Sequence, residues 1–295
     1  MSAAGVASAP LVRRRPPAAV RRRRVLVSVA NHSLLIVVAA MFLAPFVFIV
    51  LTSLMTNTQA LSSDLWPHPF RWSNFVDVFR QAPIWRWALN TLMYSGLATL
   101  GLLISSIPVA YALSRLRWRG RDAVFVVVLI ALMLPPQVSV VPIYVMWAKL
   151  GNFLGFHFIG TLWPLIIPNW LGDAFSIFLL RQFFLTIPEE YFDAARLEGG
   201  AWVRFRHVIL PLSRNATFAV ILLSFIGGLR TFDLIWTMTH GGPGFASDVL
   251  TSVIYKEYQA GFYGLSTAGN VVLFVLVTII VYPLMRFFNR RELDL

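Results

Sequence analysis

The stretch SLLIVVAAMFLAPFVFIVLTSLM, Ser33 to Met55, contains no charged side chain, and the charge-free window around it runs from Arg24 to Asp64. A helix needs about 20 apolar residues to cross bilayer hydrocarbon. This segment is therefore read as a membrane crossing. The rest of the chain agrees with it: of 295 residues 58% are hydrophobic and only 13% charged, with a mean hydropathy of +0.70, 24 Phe and 10 Trp. A soluble domain carries about 25% charged residues, so this chain lacks the polar groups to cover itself in water. Soluble enzymes and nucleic-acid-binding domains are excluded on that ground.

Working outward, similar windows recur. The expected crossings are about 33–55, 88–113, 123–148, 161–182, 212–236 and 264–286, of which the fourth carries Asp173 and the fifth carries Arg230 and Asp233. The expected fold is an all-α membrane protein of six transmembrane helices, with residues 1–30 as a disordered Arg-rich tail and 31–295 as the membrane domain. Lys and Arg concentrate on the cytoplasmic side of membrane proteins. With the N-terminus inside, 19 of the 25 basic residues fall on that side and five outside, with Arg230 within a crossing. Both termini are thus expected to be cytoplasmic. The first apolar run is longer than the h-region of a cleaved signal and no clear cleavage site follows it, so it is read as a retained helix. The net charge of +12 is absorbed by this asymmetry and by a tail suited to anionic lipid, with no nucleic-acid partner called for.

Most connections on the cytoplasmic side are short. The exception joins the fourth and fifth crossings and reads TIPEEYFDAARLEGGAWVRFRHVILP, residues 186–211. Thr186 with Glu189 has the spacing of a capping box, and Pro188, Glu189 and Glu190 suit a first helical turn. A short helix is expected to Leu197, stopped by Gly199 and Gly200. Ala194 and Ala195 leave one side nearly flat, flanked by Tyr191 and Phe192. Its acidic start, Glu189, Glu190, Asp193 and Glu198, is ill suited to anionic lipid and better suited to a protein partner. An interfacial amphipathic loop is the alternative reading of these residues.

The run Asp193-Ala194-Ala195-Arg196-Leu197-Glu198-Gly199, closing on Ile209-Leu210-Pro211, resembles the EAA loop of the permease subunits of ATP-binding-cassette importers, with Asp for the first Glu and an interval one residue shorter than the usual pattern. Phe232-Asp233-Leu234-Ile235-Trp236 and Gly241-Gly242-Pro243-Gly244 are similar to the carbohydrate-uptake, maltose-permease-like branch. The resemblance covers roughly residues 30–295. It implies a bacterial inner-membrane location and a coupling helix seated in a cytoplasmic ATPase. Glu190, Tyr191, Asp193, Ala194, Ala195, Arg196, Leu197, Glu198, Gly199 and Gly200 would form that contact. It further implies a second permease subunit, two ATPase subunits and an extracytoplasmic sugar-binding protein as partners. The Thr239–Phe245 stretch would be a landing surface for the binding protein, or simply a turn.

The chain carries no nucleotide chemistry of its own. A P-loop needs Gly-Lys-Ser/Thr, but the two lysines, Lys149 and Lys256, are followed by Leu150 and Glu257. ATP and Mg are expected on the partner ATPase, and no cofactor here. There is no cysteine, and the five histidines have no metal-ligand spacing. No catalytic group and no metal site is expected.

Polar residues inside the crossings are the candidates for a translocation path, since ionisable groups there are expensive and proline frees carbonyls that must find partners or line a cavity. Pro135, Pro136 and Pro142 surround Gln137, and Pro164 and Pro168 adjoin Asn169. The expected lining is Asn90, Tyr94, Gln137, Asn169, Asp173 and Ser224, with interhelical hydrogen bonding as the plainer role for each. Arg230 and Asp233 are expected to pair at i, i+3. Two rival functions stay open at this point: an ion-driven secondary transporter, and a membrane scaffold or receptor that transports nothing.

Overall fold

A computed structural model describes residues 18–80, 83–190, 206, 210–242 and 244–292. It is all-helical, with no strand among the described residues. The chain falls into two units, residues 1–49 and 50–295. In the first unit the described part belongs to one helix, α1 (Ala18–Ser53), which runs on into the second. The tail expected to extend to residue 30 is thus helical from Ala18 onward. Apolar side chains such as Leu34, Met41 and Phe42 are exposed along it. Lipid tails are as apolar as they are, so such a surface suits hydrocarbon and not water.

The second unit is organised by α3 (Ile84–Arg115), the longest helix lying wholly within it. Around it stand α2 (Ser73–Arg80), α4 (Arg121–Met133), α5 (Pro136–Leu154), α6 (Trp163–Ile166), α7 (Ala174–Thr186), α8 (Arg214–Leu229), α9 (Asp233–Thr239), α10 (Leu250–Gln259) and α11 (Tyr263–Glu292). Three buried clusters are strung along α3. Ile84, Trp87 and Ala88 pack with α10 and α11, and Tyr94 and Ala98 with α5, α6 and α9. Leu102, Ala110 and Leu113 pack with Leu180 and Phe184 of α7 and Val220 of α8. A row of small polar residues on α3, including Thr91, Ser95, Thr99 and Ser106, is buried between neighbours. Thr91 Oγ1 donates to the Trp87 carbonyl at 2.8 Å and Ser95 Oγ to the Thr91 carbonyl at 2.7 Å, so the Thr91 and Ser95 hydroxyls are satisfied while backbones approach closely. Gly228 of α8 uses that approach: a Cβ there would lie 2.9 Å from the Ser95 Cα.

Among the described residues four segments are long and apolar enough to cross a membrane: Leu26–Ser53, Ile84–Arg115, Trp163–Thr186 and Tyr263–Phe288. Two further crossings exist if each of two bent helix pairs counts as one span. The 123–148 segment, expected as one helix, is such a pair, with α4 and α5 meeting at 103°. The cause is local. A residue before proline is pushed out of the helical region, and Pro135 (ψ 131°) stands extended before Pro136, which opens α5 at its first turn. Pro142 remains inside α5. The expected 161–182 helix is composite as well: α6, a 3-10 segment (Ile167–Leu171) and α7, separated by Gly172 and Asp173. The expected 212–236 helix breaks after Leu229, and α9 leaves at 47°.

Candidate functional site: a cavity among broken helices

The interruption at Gly172 and Asp173 and the helices that follow the other two breaks border one space. An open cavity of about 380 Å³ is lined by Tyr94 of α3, Ser139, Val140 and Ile143 of α5, Pro164, Leu165, Pro168 and Asn169 of the α6 and 3-10 segment, Gly172, Asp173, and Asp233 and Leu234 of α9. That volume is in the small-molecule pocket range of roughly 300–1,000 Å³. Irregular backbone at membrane depth is tolerated where it is buried in protein or lines a water-filled cavity. The break at Gly172 and Asp173 meets that condition here, since both residues line the cavity.

Three of the six expected path residues meet at this cavity. Tyr94 is buried, and its hydroxyl accepts a long contact of 3.5 Å from Thr231 Oγ1, in the break between α8 and α9. Asn169 donates from Nδ2 to the Leu165 carbonyl at 2.8 Å. Asp173 has a local structural task that its sequence neighbours did not reveal. It is the N-cap of α7, where Oδ2 accepts from the Ser176 N–H at 2.8 Å, and its own N–H donates to Ser106 Oγ at 3.2 Å. A capping carboxylate at a helix N-terminus is stabilised by the dipole and the unpaired N–H groups, which accounts for an ionisable group at this depth.

The remaining three are placed otherwise. Asn90 donates from Nδ2 to the carbonyls of Ala246, 3.1 Å, and Asp248, 2.9 Å, tying α3 to the loop before α10. Ser224 lies on α8 and is not among the residues lining the cavity. Gln137 belongs to the first turn of α5, with its side chain outside the described part. Arg230 and Asp233 do not form the expected i, i+3 pair. The helix ends between them, and Asp233 instead opens α9 and faces the cavity.

In the 186–211 segment, Glu189 and Glu190 are helical and exposed, whereas Tyr191, Asp193, Ala194, Ala195, Arg196, Leu197, Glu198, Gly199 and Gly200 lie outside the described residues. Thr186 does not open a new helix as expected. It is the last residue of α7, and its hydroxyl donates back to the Phe183 carbonyl at 2.7 Å.

The sequence reading missed a buried ion pair. Asp248 is fully buried, and both its oxygens accept from Lys256 Nζ, at 2.9 and 2.7 Å, while Ser252 Oγ donates to Oδ1 at 2.7 Å. Gly241 presses on this pair with φ +80°, where a Cβ would fall 1.8 Å from Asp248 Oδ1. The loop between α9 and α10 is thereby fastened from inside, with Asn90 as a second tie. The available signal was the presence of only two lysines, one of them two helical turns after an aspartate. Among the described residues no group of His, Asp or Glu is arranged to hold a metal ion.

Comparison with known proteins now bears on what the arrangement is. A family model described as the binding-protein-dependent transport system inner membrane component matches residues 99–293. The diacetylchitobiose uptake system permease protein NgcG of Streptomyces coelicolor is 27% identical over 76% of this chain and 76% of its own length. The sn-glycerol-3-phosphate transport system permease protein UgpE of Salmonella typhi is 29% identical over 78% and 72%. The maltose/maltodextrin transport system permease protein MalG of Vibrio vulnificus is 32% identical over 49% of each. In fold, the chain is similar to a bacterial ABC transporter involved in the import of the acidic polysaccharide alginate, with a TM-score of 0.70 at 21% identity, covering 90% of this chain and 97% of that one. A second structure, of the alginate transporter in complex with an alginate-pentasaccharide-bound periplasmic protein, gives 0.69 at 19%. The apolar helices, a cavity lined by parts of the broken segments and the match over residues 99–293 lead to one assignment: this chain belongs to the family of inner-membrane components of binding-protein-dependent transport systems.

Proposed function

We propose that the chain is one permease subunit of an ATP-driven importer of carbohydrates and contributes half of the translocation path. The observation that carries this reading is the family match over residues 99–293, a range that includes the whole 186–211 segment with its Asp-Ala-Ala run. That segment is assigned to coupling, with Glu190, Tyr191, Asp193, Ala194, Ala195, Arg196, Leu197, Glu198, Gly199 and Gly200 seated on the ATPase. A second permease chain and two ATPase subunits complete the membrane assembly, and an extracytoplasmic sugar-binding protein delivers substrate. ATP and Mg belong to the ATPase. Six crossings, each bent pair counting once, with both termini in the cytoplasm are the topology that fits the distribution of Lys and Arg.

The mechanism is alternating access. ATP binding closes the ATPase dimer and displaces the coupling segments, and a rigid-body movement carries that displacement to the path. Tyr94, Asn169 and Asp173 present a hydroxyl, an amide and a carboxylate at the cavity, the kinds of group that hydrogen-bond sugar hydroxyls. We assign Gln137 and Ser224 to the same path, and Asn90 stands where α3 meets the α9–α10 loop.

The test is uptake of radiolabelled maltose and diacetylchitobiose by proteoliposomes holding the assembled complex, with a hydrolysis-dead ATPase as the comparison. The proposal expects uptake only with the competent ATPase. Uptake that survives with the dead ATPase and follows an ion gradient makes the chain a secondary transporter. Sugar binding with no uptake under either condition makes it a receptor.

A further inference from the structure

The helix that leads into the 186–211 segment is fastened to α3 from both sides. Arg115, the last residue of α3, donates from Nε to the Phe184 carbonyl at 3.0 Å, and its Nη2 donates to the carbonyls of Phe184 and Ile187. These belong to the end of α7 and the residue just past it, one position before Pro188. In return Arg181 of α7 donates from Nε to the Leu113 carbonyl at 3.3 Å, near the end of α3. The Arg181 guanidinium also stacks on Phe125 of α4, 3.7 Å from the ring centroid. The last carbonyls of a helix have no partner within it, and cations are favoured there by the dipole. Each helix thus supplies the arginine that completes the other's end. Between the arginines, Leu113, Leu180 and Phe184 are essentially fully buried.

We propose that Arg115 and Arg181 clasp the ends of α3 and α7 into one rigid lever, with Arg115 the positioning residue that passes displacement of the 186–211 segment to the helix carrying Tyr94. The inference rests on the coupling role proposed above. Tyr94 is 21 residues before Arg115 on the same helix, about 30 Å away at 1.5 Å per residue. A lever of that length transmits movement only if its two ends cannot slip against each other. Guanidinium suits the task because its planar fork of donors reaches two carbonyls at once, where a lysine ammonium offers one compact point of charge. The apolar contacts below the clasp keep the helices together without it, so losing Arg115 loosens the joint and leaves the pair associated.

The test uses the full chain in the assembled complex, with ATP hydrolysis and sugar uptake measured on the same proteoliposomes. Arg115→Gln is expected to lower the ratio of uptake to hydrolysis by about tenfold, and Arg115→Lys by less. An unchanged ratio, with both activities following the amount of complex, reduces Arg115 to a helix cap and overturns the proposal. A second measurement does not depend on the fuel. The chain has no cysteine, so spin labels at Leu116→Cys and Leu185→Cys, both exposed positions, report the joint directly. The expected distance distribution is narrow and the same with and without ATP, and broad in Arg115→Gln. Identical distributions with and without Arg115 overturn the clasp. Uptake by the unmutated complex with a dead ATPase overturns the coupling role itself, and the label distances still decide the clasp.

Discussion

Lys256→Met isolates one interaction whose size follows from its surroundings. Asp248 is 0% exposed and the Lys256 side chain 29% exposed. The ammonium meets both carboxylate oxygens, and Ser252 is the other side chain donating to them. Removing one partner of a buried pair strands the other charge and costs about 3–5 kcal/mol. The partial exposure of Lys256 places the expectation at the low end, about 3 kcal/mol. Asp248→Asn combined with Lys256→Met removes both charges and keeps an acceptor for Ser252. The double variant is therefore expected to be more stable than Lys256→Met alone, since contacting residues are not additive. The assay is unfolding of the purified chain in mixed micelles by increasing SDS, followed by tryptophan fluorescence and circular dichroism. A Lys256→Met protein within about 0.5 kcal/mol of the parent, the scatter typical of surface substitutions, would refute the reasoning. So would a double variant less stable than the single.

Three other outcomes are expected. Gly228→Val drives a side chain into Ser95, whose Cα lies 2.9 Å from the Cβ position. It is expected to lower stability by about 1–3 kcal/mol in the same SDS assay, as overpacking does. Glu257 on α10 has its carboxyl pushed above the ordinary glutamate range by burial. A raised folded pKa contributes stability below the unfolded value that is lost as pH rises through the folded one. The parent should therefore lose stability relative to Glu257→Gln as pH rises from the ordinary glutamate value toward neutrality, read from melting curves of both proteins across that window. Ala195→Glu and Gly199→Asp should abolish uptake with insertion and permease pairing intact, measured by co-purification beside transport.

The sequence made the crossings legible wherever the apolar run is uninterrupted. Segments read as 88–113 and 264–286 are the cores of α3 and α11, which extend only a few residues further at either end. It was less informative where proline or glycine divides a run, because hydropathy counts apolar residues and ignores the direction of the backbone. Pro135 and Pro136 stood out in the sequence beside Gln137, and in the structure they end α4 and turn the chain by 103°. Asp173 was conspicuous as a charge in an apolar segment. Its capping role depends on α7 beginning at Ala174, which the composite 161–182 run concealed. The Asp248–Lys256 pair and the Arg115 contacts to α7 join residues whose meeting depends on how loops and helix ends fold back. Neither hydropathy nor a local motif encodes that. The cavity collected Tyr94 from one stretch and Asn169 and Asp173 from another, and only the tertiary arrangement separated them from Ser224.

The central claim is that motion enters this chain from an ATPase through the segment after α7, and cross-linking in the working assembly tests it most directly. A photo-crosslinking residue placed in turn at Asp193, Arg196 and Glu198 is irradiated while proteoliposomes turn over ATP and take up sugar. The account predicts adducts with the nucleotide-binding subunit from these positions, and loss of uptake in proportion to adduct formed. Full transport from assemblies in which none of these positions ever reaches that subunit would contradict it.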